Sequence, residues 1–377
     1  MQGQPKPDAT PQSPAALPPS QPPPRPPRRS TLQPPGIIFD SDMGRSIDAA
    51  LALALLYGLA PKNAVLAVGI SSSSLEAAAF CDAVLRFYLG DPLVNSSGNK
   101  GVLPVGLAEN AAALGDAPML RGPLSLTKPD GQPVFSRGVH DIIDTADVTV
   151  LFRNALLTQQ DGAATAVLAG PATNMVRSLA LNGGRETIAA KVGVLVVAAG
   201  AFPDGPVDPR IKADIASARQ LFAQWPTPIV AVGTEVGQAL PYPGHSIDAD
   251  FTWTPTHPIV EAYRAYQAMP YDAASQAVAA ALYAGNQKEG YFKLSGPGTI
   301  EVLDDGRTRF TASEKGRHRY LIMDPAQKER VIKAFTTLVS AKPIPPEPRG
   351  PRLPPPDEAV AAAGDAAAAP KAGESEK

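Results

Sequence analysis

The sequence predicts an α/β fold with a doubly wound, mostly parallel sheet flanked by helices, and three observations carry that prediction. Strand-like and helix-like runs alternate along the middle of the chain. The strand-like runs are continuously apolar, as in strands covered on both faces. The third observation is the placement of proline. Of 42 prolines in 377 residues, 13 fall in residues 1–36 and 9 in residues 343–377. Proline blocks both helix and sheet, so the ends read as disordered tails, 1–35 and 343–377. The segment between them, 36–342, is long enough for one large α/β domain or two smaller ones.

The elements follow in order. Gly36-Ile37-Ile38-Phe39 is a short apolar strand ending at Asp40. Ala49 to Leu56 is nearly pure Ala and Leu, a buried helix. Ala64–Val68 is the next strand, and Leu75–Tyr88 is a helix with apolar residues three to four apart. Ala164–Leu168 is a strand, followed by Gly170-Pro171 and a helix from about Thr173 to Leu181. Val192–Ala198 and Pro228–Val232 are strands on either side of a helix at Lys212–Gln224. The region Ile259–Tyr283 reads as helical. Thr299–Leu303 and Arg309-Phe310 flank the turn Asp304-Asp305-Gly306, a small C-terminal hairpin addition. Arg319–Met323 is a last strand and Pro325–Ser340 a last helix.

Composition excludes several classes. A formal net charge of −2 does not recruit nucleic acid. Lys6, Arg25, Arg28 and Arg29 against Asp8 make the N-terminal tail basic, a patch that reads as solvated. Cys81 is the single cysteine, so no internal disulfide forms, and its apolar helix face makes it a core residue. No apolar run reaches the roughly 20 residues of a membrane span. No signal-peptide core is visible either, so the expected location is cytoplasmic, with export requiring an upstream start. His140, His245, His257 and His318 lie apart, without metal-ligand spacing, and read as loop or surface residues.

Ligands of open parallel sheets bind beyond the carboxyl ends of the strands. After the first strand come Asp40, Asp42 and Asp48, three carboxylates on one strand-to-helix loop. Like charges this close raise one another's pKa unless a cation or hydrogen bonds compensate. They read as a hard-cation or polyol site, or more plainly as a helix cap at Asp48 with Asp40 and Asp42 in water. Ser71-Ser72-Ser73-Ser74 follows the second strand, as a polar loop and helix cap or as hydroxyl donors. Thr173 or Asn174 would offer a carbonyl or amide to the same cleft, and Ala199–Gly205 is a glycine-containing turn that lets backbone approach a ligand.

These pieces, in this order, resemble the inosine-uridine preferring nucleoside hydrolase family. The stretches that carry the resemblance are IIFDSDMGRSIDAALALALL, LAVGISSSS, GPATN, VLVVAAGAFPDG, WPTPIVAVGTEVG and LYAGNQKEGYFKLSGPGTIEVLDDGRTRF, spanning roughly 36–340. The resemblance implies a doubly wound α/β domain with one Ca²⁺ that holds the ribose hydroxyls and the attacking water, and hydrolysis of the N-glycosidic bond of a small-molecule riboside. It implies metal ligation by Asp40, Asp42, the Thr173 carbonyl and Asp272, with Asp42 also the general base. Asp48, Ser74 (or Ser73), Asn174, Asp208 and Arg210 fall at substrate-binding positions. Ala49 stands where the family has a calcium-ligating aspartate, and Asp208-Pro209-Arg210 stands where it has Glu-x-Asn. Anchoring on Leu282-Tyr283-Ala284 instead puts Ala277, not Asp272, at the last ligand position. Family members often form homo-oligomers.

Two other readings stay open. One is a catalytically impaired member of the same fold that binds a ribose-containing or sugar-phosphate ligand, with Arg210 in place of the metal charge and clamping an anion. The other is a haloacid-dehalogenase-like phosphatase, since IIFDSD also looks like that family's first motif. Met43 interrupts that motif, and the later Gly-Asp-x-x-x-Asp is missing.

Overall fold

A computed structural model describes residues 35–90, 105–108 and 114–344. The expected tails at 1–35 and 343–377 lie almost wholly outside the described residues.

The strands are β1 (Gly36–Ser41), β2 (Ala64–Ile70), β3 (Val105–Leu107), β4 (Ala146–Asp147), β5 (Ala164–Ala169), β6 (Val192–Val197), β7 (Ile229–Ala231), β8 (Lys293–Leu294), β9 (Gly298–Val302), β10 (Thr308–Ala312) and β11 (His318–Ile322). They form one sheet in the order β10-β9-β11-β7-β6-β5-β1-β2-β3-β4, with β8 added beside β11. From β4 to β7 and on to β11 every neighbouring pair is parallel, and the antiparallel pairs are confined to the β8–β11 addition. The predicted hairpin is β9–β10, with Thr308 opposite Val302.

Alternate residues of the central strands feed two cores. Ile37, Phe39, Val68, Val167 and Val196 point to one face, and Ile38, Ala67, Leu168, Leu195 and Val197 to the other. The helices Ile47–Gly58 and Gln276–Gly285 cover the first face. Val148–Leu157 and Ile215–Gln224 help cover the second. The Ile47–Gly58 helix is buried from Ile47 to Tyr57, which is why its sequence is apolar all round.

Two predicted helices are each split in the structure. Asp214 ends Pro209–Ala213 and caps Ile215–Gln224 through the Ser217 amide. The long helical region 259–283 is two helices, Pro258–Tyr266 and Gln276–Gly285, separated by a segment containing the cis bond Met269-Pro270. Proline cannot continue the first of them.

The histidines also need correction. His257 is 1% exposed, packed edge-on against Phe87, Tyr88, Phe251 and Trp253. Burial pushes its pKa down to about 3. Its Nδ1 accepts from the Ile259 amide, so it is a neutral helix cap rather than a surface group. His318 is half-buried in β11, where its Nδ1 accepts from the Ile300 amide. Cys81 is buried, as expected.

Strand order reverses between β1 and β5. From β1 the chain moves outward through β2, β3 and β4; β5, β6 and β7 then run out on the other side. The region beyond the carboxyl ends of β1 and β5 is therefore the topological switch point, where open parallel sheets bind ligands.

Candidate functional site

Asp40 and Ser41 are the last residues of β1, opposite Leu168 and Ala169 of β5 and Gly69 and Ile70 of β2. Asp42 follows, its amide donating to the Ala169 carbonyl at 3.4 Å. The chain then turns, with the Arg45 amide donating to the Asp42 carbonyl at 3.0 Å and Gly44 at φ +103°. That left-handed conformation suits glycine and aims the Ile47–Gly58 helix back over the sheet.

Two glycines make room for the carboxylates. A Cβ on Gly69 would lie 2.6 Å from Asp40 Oδ1, and a Cβ on Gly170 would lie 2.7 Å from the Asp42 nitrogen. Gly170 directly follows β5, so its missing side chain lets the two strand ends converge.

The carboxylates divide into committed and uncommitted groups. Asp48 is committed. It accepts from the amides of Ala277 at 2.8 Å and Val278 at 3.1 Å, and from Arg210 Nη2 at 3.3 Å. It thus caps the Gln276–Gly285 helix instead of its own, where the Ser46 N-cap position makes no side-chain cap. Asp208 is committed too, accepting from the Arg210 amide and from Gln276 Nε2 at 3.1 Å.

Asp40 and Asp42 are different. Asp40 is fully buried, and Asn174 Nδ2 donates to its Oδ1 at 2.9 Å. Among the described residues, Asp40 Oδ2, Asp42 Oδ1, Asn174 Oδ1, Ser41 Oγ and Ser72 Oγ are buried with no hydrogen-bond partner. Unpartnered buried acceptors are rare and each costs about 1–3 kcal/mol, so this group marks a place where a donor from outside belongs.

Arg210 runs through the middle of the cluster. Its Nε donates to the Ala169 carbonyl at 3.1 Å. Nη1 donates to the Ala198 carbonyl at 3.2 Å and to Gln276 Oε1 at 2.8 Å, and Nη2 donates to Asp48. Nε also lies 3.8 Å from Asp42 Oδ1, an ion pair too long to be a hydrogen bond. Arg45, half exposed, sits 3.8 Å from Asp42 Oδ2 on the outer side.

Burial dominates the titration of this group. It raises Asp40 to about 7, against the Asn174 hydrogen bond and with help from the Asp42 charge. Burial also raises Asp42 and Asp48, with Arg210 pulling each back. Asp42, Asp48 and Asp208 in turn outweigh the burial of Arg210 and hold its guanidinium charged.

Asp40→Asn therefore has a pH-dependent effect. The folded pKa lies above the unfolded one, so the carboxyl's contribution to stability is complete below about pH 4. It is lost as pH rises through about 7. The amide escapes this loss, so unfolding at pH 5 to 9 should show the variant gaining on wild type, by a few kcal/mol at about 1.4 kcal/mol per unit. Equal stability of the two at pH 8 would contradict the burial argument.

The remaining expected site residues scatter. Ser74 caps the Leu75–Leu89 helix by accepting from the Ala77 amide, whereas Ser71 Oγ donates to the Ser41 carbonyl and Ser72 is the buried member of the tetrad. The Thr173 hydroxyl donates to Asp214, a bond that does not involve the carbonyl expected to face a metal. Asp272, expected among the metal ligands, is exposed and accepts from the Gly244 amide. Ala277, the position given by the other anchoring, donates its backbone amide to Asp48. The Ala199–Gly205 turn is held by the hairpin, with Ala201 bonded in both directions to Thr308 Oγ1. Sequence reasoning missed Gln276, which ties Arg210 to Asp208. An amide inside an Ala/Leu helix start was its only signal.

A calcium ion does not fit these residues. Ca²⁺ takes six to eight oxygens. Ala49 offers no ligand, Asp48 and Asp208 are spent on amides, Arg210 and Gln276, and Asp272 accepts from the Gly244 amide. Of Asp40, Asp42, Asp48 and Asp208, only Asp40 and Asp42 keep a carboxylate oxygen without a hydrogen bond, with a guanidinium already 3.8 Å from Asp42. Among the described residues no group of three or more His, Cys, Asp or Glu is placed to hold a metal.

No family model matches the sequence, and no curated protein matches it. Solved structures do resemble it. A plant nucleoside hydrolase superposes with a TM-score of 0.58 at 19% identity, over 82% of this chain and 99% of its own. The inosine-uridine preferring nucleoside hydrolase from Bacillus anthracis gives 0.57 at 15%, over 81% and 99%. The type III effector protein XopQ, complexed with adenosine diphosphate ribose, gives 0.53 at 12%, over 84% and 96%. The chain has the nucleoside hydrolase fold, with the small C-terminal addition predicted for it. Among the described residues no helix is long and apolar enough to cross a membrane.

Proposed function

We propose that this chain is an N-glycosyl hydrolase of the nucleoside hydrolase type, binding the ribosyl group of a small-molecule riboside at the β1–β5 crevice. One observation carries the reading. Three buried acceptors, on Asp40, Asp42 and Asn174, and two buried hydroxyls, on Ser41 and Ser72, lack partners at the switch point. A vicinal diol supplies O–H donors to such acceptors. The fold likeness to nucleoside hydrolases supports the same reading.

The chemistry uses the chain's own groups. Asp42 takes a proton from water as the water oxygen bonds to the anomeric carbon. The C–N bond breaks, its electron pair leaves with the base, and the base nitrogen gains a proton from solvent. Positive charge developing on the sugar is stabilised by the surrounding carboxylates. Burial raises the Asp42 pKa against the pull of Arg210 and Arg45, and a carboxylate of raised pKa is the stronger base once ionised.

The sugar-phosphate alternative loses its clamp. A guanidinium has five N–H donors, and four hydrogen bonds to Ala169, Ala198, Gln276 and Asp48 leave Arg210 a single one.

The test is base release from inosine, uridine, guanosine and adenosine, with binding of each and of ADP-ribose followed by calorimetry. Release from at least one riboside is expected. Binding without release would leave a binding protein on this fold, and neither binding nor release would sink both readings.

A further inference from the structure

We infer that Arg210 is a built-in cation that organises this site in place of a divalent metal, so that the chain needs no metal to hold its carboxylates together. The inference stands on the geometry and does not depend on turnover.

Asp40, Asp42, Asp48 and Asp208 lie around one crevice and are each 6% exposed or less. A cluster of that charge requires compensation in place. Arg210 supplies it from the centre, 3.3 Å from Asp48 and 3.8 Å from Asp42. Its remaining donors include those anchored on the carbonyls of Ala169, which ends β5, and Ala198, which follows β6, so the positive charge is fixed to the rim of the sheet. Gln276 locks the guanidinium from the far side and passes a second bond to Asp208. The planar fork of arginine suits this division of labour between carbonyls, amide and carboxylate.

The arrangement treats its two nearest carboxylates differently. Asp48 is bonded and spent. Asp42 is held at ion-pair distance, with its Oδ1 left free of any hydrogen bond among the described residues. Arg210 is thus a positioning residue. It stands at ion-pair distance from Asp42 while leaving the oxygen open to an incoming O–H. A metal in the same position would coordinate that oxygen directly.

Two measurements on the full-length protein test this. In the first, wild type is titrated with Ca²⁺ and with Mg²⁺ by calorimetry, and its Tm is followed in EDTA. The expected result is no saturable heat and no Tm change. A saturable Ca²⁺ isotherm, or a Tm lowered by EDTA, would overturn the inference. In the second, Arg210→Met removes the charge but keeps most of the stem. With the internal cation gone and too few oxygens left for Ca²⁺, the variant should show a Tm lower by about 5 °C or more that 5 mM Ca²⁺ does not restore. A folded variant with the wild-type Tm would also overturn the inference. If the variant does not fold, the wild-type titration decides alone. Wild type blind to Ca²⁺ that also cleaves no riboside would remove the hydrolase reading and leave this one standing.

Discussion

Arg210→Ala is expected to lower the free energy of unfolding by about 3–5 kcal/mol, the usual cost of deleting one partner from a buried charged network. The loss has several parts. Asp48 and Asp42 lose their counter-charge, the Ala169 and Ala198 carbonyls lose donors, and Gln276 loses the group that orients it. Neither water nor neighbouring side chains replace a fork with four fixed bonds in a site this buried. Urea unfolding should show the midpoint falling with an unchanged slope. Arg210→Lys should recover only part of the loss, because an ammonium on a flexible stem cannot reach both carbonyls and Asp48 together. Arg45→Ala serves as the control. Arg45 is half exposed and also 3.8 Å from Asp42, and its removal should leave the midpoint nearly unchanged. A loss below about 1 kcal/mol for Arg210→Ala would mean that the network is not what holds the crevice.

Asp42→Asn is expected to abolish most riboside hydrolysis, by on the order of 10²- to 10⁴-fold in kcat, as when a general base is removed. It should do so without destabilising the fold. Burial raises the Asp42 pKa against the pull of Arg210 and Arg45, so the folded state holds this charge at a cost. Its Oδ1 also lacks a hydrogen-bond partner among the described residues. An amide of the same shape relieves that cost, so stability should hold or rise while activity falls. This opposition is characteristic of a residue kept for chemistry. Hydrolysis and urea unfolding measured on one preparation check both halves. Unchanged kcat would assign the base elsewhere, and a large loss of stability would make Asp42 a structural group.

Much of the fold was legible because its signals are local. Continuous apolar runs at Ile37–Phe39, Ala164–Leu168 and Val192–Ala198 predicted buried parallel strands, and the structure places them at the centre of the sheet. The short strands β3 and β4, toward one edge of the sheet, carry no such signal, because two or three residues cannot display a period. The break in the helical region 259–283 followed from a proline whose effect the flanking Ala and Tyr residues masked.

By itself, the sequence determined the layered α/β architecture, the proline-rich composition of its ends, and the gathering of Asp40, Asp42 and Asp48 at the exit of the first strand. Backbone periodicity and strand-end chemistry are properties of neighbouring residues, so they can be read in one dimension. Only the tertiary structure decided which of those carboxylates is spent and which is free. Asp48 is 229 residues from the Ala277 amide it caps and 162 from Arg210. Arg210 lies 66 residues from Gln276. Such partners meet only because the strand order reverses at β1 and β5 and brings the start of one helix and the side chain of another to the same rim. The absence of a carboxylate at Ala49 is visible in the sequence, but the Arg210 guanidinium that lies beside Asp42 and Asp48 arrives from across the fold.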